Sequence, residues 1–88
     1  MDPSRITTTD TLPGFRVKKI LGSGPILARS AGAGRHIALR EALSELARRA
    51  DELAADAVVG VDMSTSGSEI VLIGMAVLLE PTGPGDSY

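Results

Sequence analysis

The spacing of apolar positions changes character three times along the chain. In Phe15-Arg16-Val17-Lys18 apolar and basic residues alternate, the period of a half-exposed strand. The phase then breaks, because Ile20 and Leu21 are adjacent, and a bulge near Lys18–Lys19 would restore the register. Gly22-Ser23-Gly24-Pro25 interrupts this strand, and Ile26-Leu27-Ala28-Arg29 resumes it beyond a bend. From Arg35 to Ala55 the period becomes helical. Leu39, Ala42, Leu43, Leu46, Ala50, Leu53 and Ala54 form one stripe, with Glu41, Ser44, Glu45, Arg48, Asp51 and Glu52 opposite. Ile37 falls off the stripe. The alanines on the stripe predict close approach to a sheet.

Two strands follow the helix. In the first, alternation places Ala57, Val59, Val61 and Met63 on one face and Val58, Gly60 and Asp62 on the other. Gly60 suggests close passage of another backbone or side chain. Thr65-Ser66-Gly67-Ser68 predicts a hairpin turn. The second strand, Ile70 to Leu79, is apolar on both faces and must be covered on both. One helix covers one face of a small sheet, so the other face calls for a partner. Before all this, the β-branched run from Ile6 through Thr7, Thr8 and Thr9 predicts a short edge strand. Such an edge offers free backbone groups to a neighbouring subunit. Asp10 to Gly14 is a turn, with Pro13 and Gly14 placed as in type II. The predicted class is α+β: a β-β-α-β-β subunit with one amphipathic helix on a small antiparallel sheet. Residues 1–5 are expected as a flexible N-terminus, residues 6–80 as a single domain and residues 81–88 as a disordered tail.

Composition sharpens this picture. Phe15 and Tyr88 are the only aromatic residues, so the core must be aliphatic. A chain of 88 residues buries only about 60% of its unfolded surface. With no cysteine there is no disulfide to brace it, and oligomerisation is the remaining source of stability. A net charge of −2, with Arg35, Arg40, Arg48 and Arg49 interleaved among acids, argues against nucleic-acid binding. No apolar run reaches the roughly 20 residues of a membrane span, and no secretory signal is visible, so a cytoplasmic location is expected.

Candidate chemistry is sparse. His36 is the sole imidazole and there are no thiols, so a metal site would need symmetry-related copies of His36, Asp62 or Glu69. The blander reading places His36 at a helix start and leaves the acids solvated. Gly32, Gly34 and Arg35 precede a helix whose free N–H groups attract anions. They complete neither GxGxxG nor a P-loop, and glycines at a bend and helix entrance explain them equally. Asp10 and Asp62 could pair as carboxylates, yet Asp10 fits a turn and Asp62 a strand edge. Ser23, Ser30, His36 and Asp62 hold the letters of a triad without a nucleophile elbow. No enzymatic activity and no cofactor are expected.

Three stretches together resemble a known family. Thr7-Thr8-Thr9-Asp10-Thr11-Leu12-Pro13-Gly14-Phe15-Arg16-Val17, followed by Leu21-Gly22, is similar to the opening of the YbjQ-like family. Ala55-Asp56-Ala57-Val58-Val59-Gly60-Val61 resembles its second signature, and Gly74-Met75-Ala76-Val77 its last strand. The resemblance implies a dodecin-like subunit that assembles into a ring, commonly a homopentamer, in a family whose label names heavy-metal binding. Two departures stand out. The segment before the helix is shorter than usual. Ala55 stands where the family has Gly at the helix end, which predicts a differently closed helix. The expected function is a homo-oligomeric assembly or scaffold module, with Thr7, Thr8, Thr9, Val71 and Ile73 at subunit contacts. The alternative is a small-ligand or metal-ion binding protein with sites between subunits.

Overall fold

A computed structural model describes residues 1–32 and 34–82. Its order is β1 (Phe15–Ile20), β2 (Ile26–Ala31), α1 (Arg35–Glu52), β3 (Ala57–Ser66) and β4 (Glu69–Pro81), preceded by a 3-10 turn at Pro3–Arg5. This is the β-β-α-β-β plan. Of the tail expected from residue 81, Pro81 instead closes β4 and Thr82 N–H donates to Gly14 O (3.0 Å), and residues 83–88 lie outside the described residues.

Every strand pairs antiparallel with β4. β3 takes one edge. β1 and β2 lie end to end along the other, β1 against Val77 to Pro81 and β2 against Glu69 to Gly74. The glycine-rich bend therefore breaks one long strand, as the spacing implies, and the register shift of β1 falls between Val17 and Lys19. At the start of β1, Phe15 N–H donates to Leu12 O (3.0 Å) and Gly14 has φ +81°, as the type II turn requires. Only Gly67 and Ser68 separate β3 from β4, and Gly67 (φ +60°) supplies the positive φ of a primed hairpin turn.

The helix buries Ala38, Ala42, Leu46 and Ala50 against Ala28, Val58, Ile70, Leu72 and Ala76. Alanine at most helix contacts lets the two layers approach closely. Leu39 and Leu43 are half-buried on the flank, and Leu53 and Ile37 are exposed. A second, smaller cluster lies on the opposite face: Ala57, Val59 and Val77, covered by Leu12, Met75 and Leu79.

Strand β3 departs from simple alternation. Val59 pairs with Met75 but Asp62 with Ile73, so one extra residue sits in β3. Gly60 has φ +62°, the mark of a glycine bulge. The bulge inverts the phase. Val61 and Met63 join Val58 on the helix side, and Asp62 joins Ala57 and Val59 on the outer side. Gly60 is needed for its backbone angle, because a side chain there would meet open space. The tight glycine is Gly74, opposite the bulge. A Cβ there would lie 2.7 Å from Val58 Cγ1 and 3.0 Å from Val61 Cγ2.

The helix end also differs from expectation. Ala55 N–H donates to Ala50 O (3.0 Å) and Ala54 N–H to Asp51 O (2.9 Å), the two bonds of a Schellman motif. Ala54 occupies its left-handed position with φ 57°. The closure is of the usual kind and is made with a strained alanine in place of glycine. Asp56 follows; its N–H donates to Val77 O and its Oδ2 accepts from Leu79 N–H, both at 2.8 Å. That carboxylate ties the helix exit to β4.

The N-terminus is drawn onto the domain. Ser4 N–H donates to Asp2 Oδ1, the Met1 side chain packs against the main core, and the Met1 amino group lies 2.9 Å from Asp51. Ile6 makes a single parallel bridge to Val58 in place of a full strand. Thr7 N–H donates to Val58 O, Val61 N–H to Thr7 O and Gly60 N–H to Thr9 O. The threonine run pairs with the chain's own β3, so its backbone edge is in use within the subunit.

Two substitutions test these local geometries in thermal unfolding. Gly74→Ala forces Val58 or Val61 aside and is expected to cost about 1–3 kcal/mol. Each kcal/mol lowers Tm by roughly 4–8 °C at this size; an unchanged Tm would mean that the bulge repacks freely. Ala54→Gly relieves a left-handed alanine and is expected to add about 0.5–1 kcal/mol, while a lower Tm would contradict the strained cap.

Candidate functional site

The candidate residues do not converge within one chain. His36 is exposed on the first turn of α1, Asp62 is exposed on β3 just past the bulge, and Glu69 opens β4 beside the hairpin. Among the described residues no three His, Cys, Asp or Glu side chains are grouped to hold a metal. Gly34 caps α1 with extended backbone and no side-chain cap, and Gly32 and Arg35 flank the same helix start. That is an ordinary helix entrance.

Three hollows mark the helix side. The first, about 560 Å³, runs between the N-terminal segment and α1 over Met1, Ile6, Leu43 and Ala47, with Arg40, Ser44 and Arg48 on its rim. The second, about 500 Å³, lies between β2 and α1, lined by Leu27, Arg29, Ser30, Glu41, Glu45 and Arg49. Ser30 Oγ bonds Glu41 Oε2 there at 2.7 Å. The third, about 800 Å³, is wider and shallow. It does bring Asp10 and Asp62 to one rim, with Thr7, Thr8 and Met63. Among the described residues its lining brings no histidine, lysine or arginine to them.

Charge on the helix is paired along its exposed face. Arg48 binds Glu45 (2.5 Å) and Glu52, and Arg49 reaches Glu45 at 3.2 Å. The hydrogen bond from Arg48 holds the Glu45 carboxyl below the usual carboxylate range, and Glu45 raises Arg48 in return. All of these groups are solvated, so the cluster is a helix surface and not a reaction centre.

The outer face of the sheet is where exposed apolar surface collects. Odd-numbered β4 residues point there: Val71, Ile73, Met75, Val77 and Leu79. Beside them stand Val17 and Ile20 on β1 and Leu27 on β2. Leu12 and its neighbours cover one end, where Val77 is fully buried. The rest is more open: Ile20, beside Val77 on the β1 side, is 53% exposed, and toward the other end Ile73 is 39% and Leu27 38% exposed. Val71 and Ile73, singled out from the two-faced strand, lie on this open part. The role of Leu12 as a cover was not visible in the sequence, because it sits in a turn far from the residues it shields.

The fold and this surface define a small α+β protein with one helix on a four-stranded antiparallel sheet. By sequence the chain is 38% identical over 103 residues to a UPF0145 protein of Thermotoga maritima, covering 85% of this chain and 96% of that one. A UPF0145 protein of Thermotoga petrophila is 34% identical over 102 residues with the same coverage. The chain belongs to the UPF0145, or YbjQ-like, family. No family model matches it. A solved structure of a DUF74-family protein of unknown function from Pediococcus pentosaceus superposes with a TM-score of 0.51 at 19% identity, over 86% of this chain and 95% of that one. This likeness concerns the fold. The aligned spans exceed the 88 residues of this chain, so these relatives carry residues with no counterpart here.

The helix cluster gives a pH-dependent expectation. Because the Glu45 pKa is lowered by folding, any stability it adds is present above the unfolded carboxylate pKa and is lost as pH falls through the folded value. Arg48→Ala should return Glu45 to the ordinary carboxylate range in an NMR titration. It should leave Tm at neutral pH within about 2 °C. A large loss of stability would place this face in a buried contact.

Proposed function

We propose that this protein is a non-enzymatic self-assembling module whose outer sheet face is its assembly surface. The observation that carries the proposal is the apolar side chains left open on that face, Ile20 on the β1 side and Leu27 and Ile73 toward the hairpin end. An antiparallel sheet facing water on one side normally alternates apolar in and polar out. Here β4 keeps aliphatic residues at successive odd positions from Val71 to Leu79. A contiguous apolar face on a chain this small marks an interaction surface.

Shape supports the same reading. The molecule measures 49 × 22 × 18 Å, with a radius of gyration of 14.0 Å. A compact domain of this length has about 12 Å. A thin slab with one apolar side gains more from a neighbour than a globule does. The ring of five that the YbjQ-like resemblance implies is the assembly we favour, in a cytoplasmic setting. In such an assembly the ring surface carries the function.

Light scattering coupled to size exclusion tests this. The wild type is expected at a multiple of 9.1 kDa, and the double substitution Val71→Asp plus Ile73→Asp is expected to dissociate it with its helix content retained. A wild-type monomer throughout the micromolar range would end the proposal, and so would a doubly substituted chain that assembles unchanged.

A further inference from the structure

We propose that the groove between the N-terminal segment and α1 binds a medium-chain aliphatic monocarboxylate, its carboxylate on Arg40 and its tail laid toward Met1. The inference goes beyond self-assembly and does not depend on it. It starts from the charges of α1. Among the described residues Glu41 accepts from Ser30, Glu45 and Glu52 hold Arg48, Arg49 reaches Glu45, and Asp51 binds the Met1 amino group. Arg40 stands apart. Its guanidinium has neither an ion pair nor a hydrogen bond among those residues. The Ser44 hydroxyl is likewise without a partner there. Residues four apart on a helix share a face, so Arg40 and Ser44 offer their donors side by side.

Both stand on the rim of the hollow of about 560 Å³, whose wall is apolar. Ile6 comes from the N-terminal segment, Leu43 and Ala47 from the helix, and all three are only half-buried. A cation with open donors beside an aliphatic trough suits a ligand that is anionic at one end and apolar along its length. The guanidinium fork matches a carboxylate in two parallel bonds. The volume lies within the range of small-molecule sites, about 300–1,000 Å³. The other hollows lack this combination. In the second, Arg29 and Arg49 share the lining with Glu41 and Glu45, and the third carries Asp10 and Asp62.

The groove also has a direction. Met1 closes its far end, with a side chain 3% exposed and an amino group 2.9 Å from Asp51. Arg48, on the rim nearby, is taken by Glu45 and Glu52. An anion is therefore drawn to the Arg40 end, and the tail runs over Leu43 and Ala47. From Arg40 to Ala47 is two turns of helix, roughly 10 Å along the axis, which suits a straight chain of about eight carbons.

Octanoate titrated into the full chain tests the site, followed by two-dimensional amide NMR and by calorimetry. Saturable binding of a single octanoate per chain is expected, with a dissociation constant of roughly 0.1–1 mM. Amide shifts should centre on Ile6, Leu43 and Ala47. Acetate, which lacks the tail, should bind at least about tenfold more weakly. Arg40→Met should weaken octanoate by roughly fivefold to tenfold and leave octanol unchanged. Ala47→Phe, which fills the trough, should weaken octanoate and octanol alike, with folding checked by circular dichroism. Three results would each overturn the site: no saturable shift up to about 10 mM octanoate, octanoate affinity untouched by Arg40→Met, or shifts centred on Ile20, Leu27 and Ile73. Acetate binding as tightly as octanoate would reduce it to an anion contact and also overturn it. A monomer that binds octanoate in this way would end the assembly proposal and leave the site standing.

Discussion

Everything in this protein hangs on β4. Among the described residues it alone pairs with other named strands along both edges, and those three strands join the sheet through it. That arrangement demands a strand long enough to serve β1 and β2 in succession along one side. Glu69–Pro81 supplies the length. It also demands that the helix, which returns the chain from β2 to β3, lie across the strand it does not follow in sequence. The alanines of α1 and the small residues Ala28, Gly74 and Ala76 make that crossing close. Asp56 then fixes the far end by accepting the Leu79 N–H, so the helix exit and the last strand are held as one piece.

Much of this was legible in the residues, and the parts that were not share a cause. Periodicity gave the helix, the two-faced strand and the phase break in β1, because each is written over several residues. Single-residue backbone events were misread. Gly60 reads in the sequence as a place of close approach, whereas the register of β3 against β4 and a positive φ make it a glycine bulge. The consequence was large, since one bulged residue moved Val61, Met63 and Asp62 to the opposite faces. Ala54 gave no warning at all, because alanine is a helix former and its left-handed angle is imposed by the bonds to Ala50 and Asp51. The Thr7–Thr9 run reads as a short edge strand, but it bonds the chain's own β3 beside a single bridge at Ile6, because pairing partners are set by topology, which local patterns do not encode.

The candidate chemistry shows the same division. Residue types can nominate a metal or anion site, but a site exists only where elements converge. His36 belongs to the helix start, Asp62 to the bulged strand and Glu69 to the hairpin, so within one subunit they stand apart, and a metal site would need copies from several subunits. Asp10 and Asp62 do share a rim, because the turn after the threonine run passes the bulge. A pair of exposed carboxylates with no cation or base beside them is a feature of the surface. Family membership adds no chemistry, since the similar proteins carry names that assign none.

What remains is a mismatch between the pattern of β4 and the cover that one chain can provide. A two-layer slab has one interior. Residues on the helix side, Ile70, Leu72 and Ala76, reach it and are buried. Residues on the other side could have been polar at no cost to that interior, as Ser64 and Ser66 are on the neighbouring strand. They are valine, isoleucine, methionine and leucine instead, and the turn at Leu12 shields only the end near Val77. Ile20, Leu27 and Ile73, 38–53% exposed, each forgo roughly half of the about 1.5–3 kcal/mol that full burial returns. A few of them equal a large fraction of the stability of a small domain, about 5–15 kcal/mol.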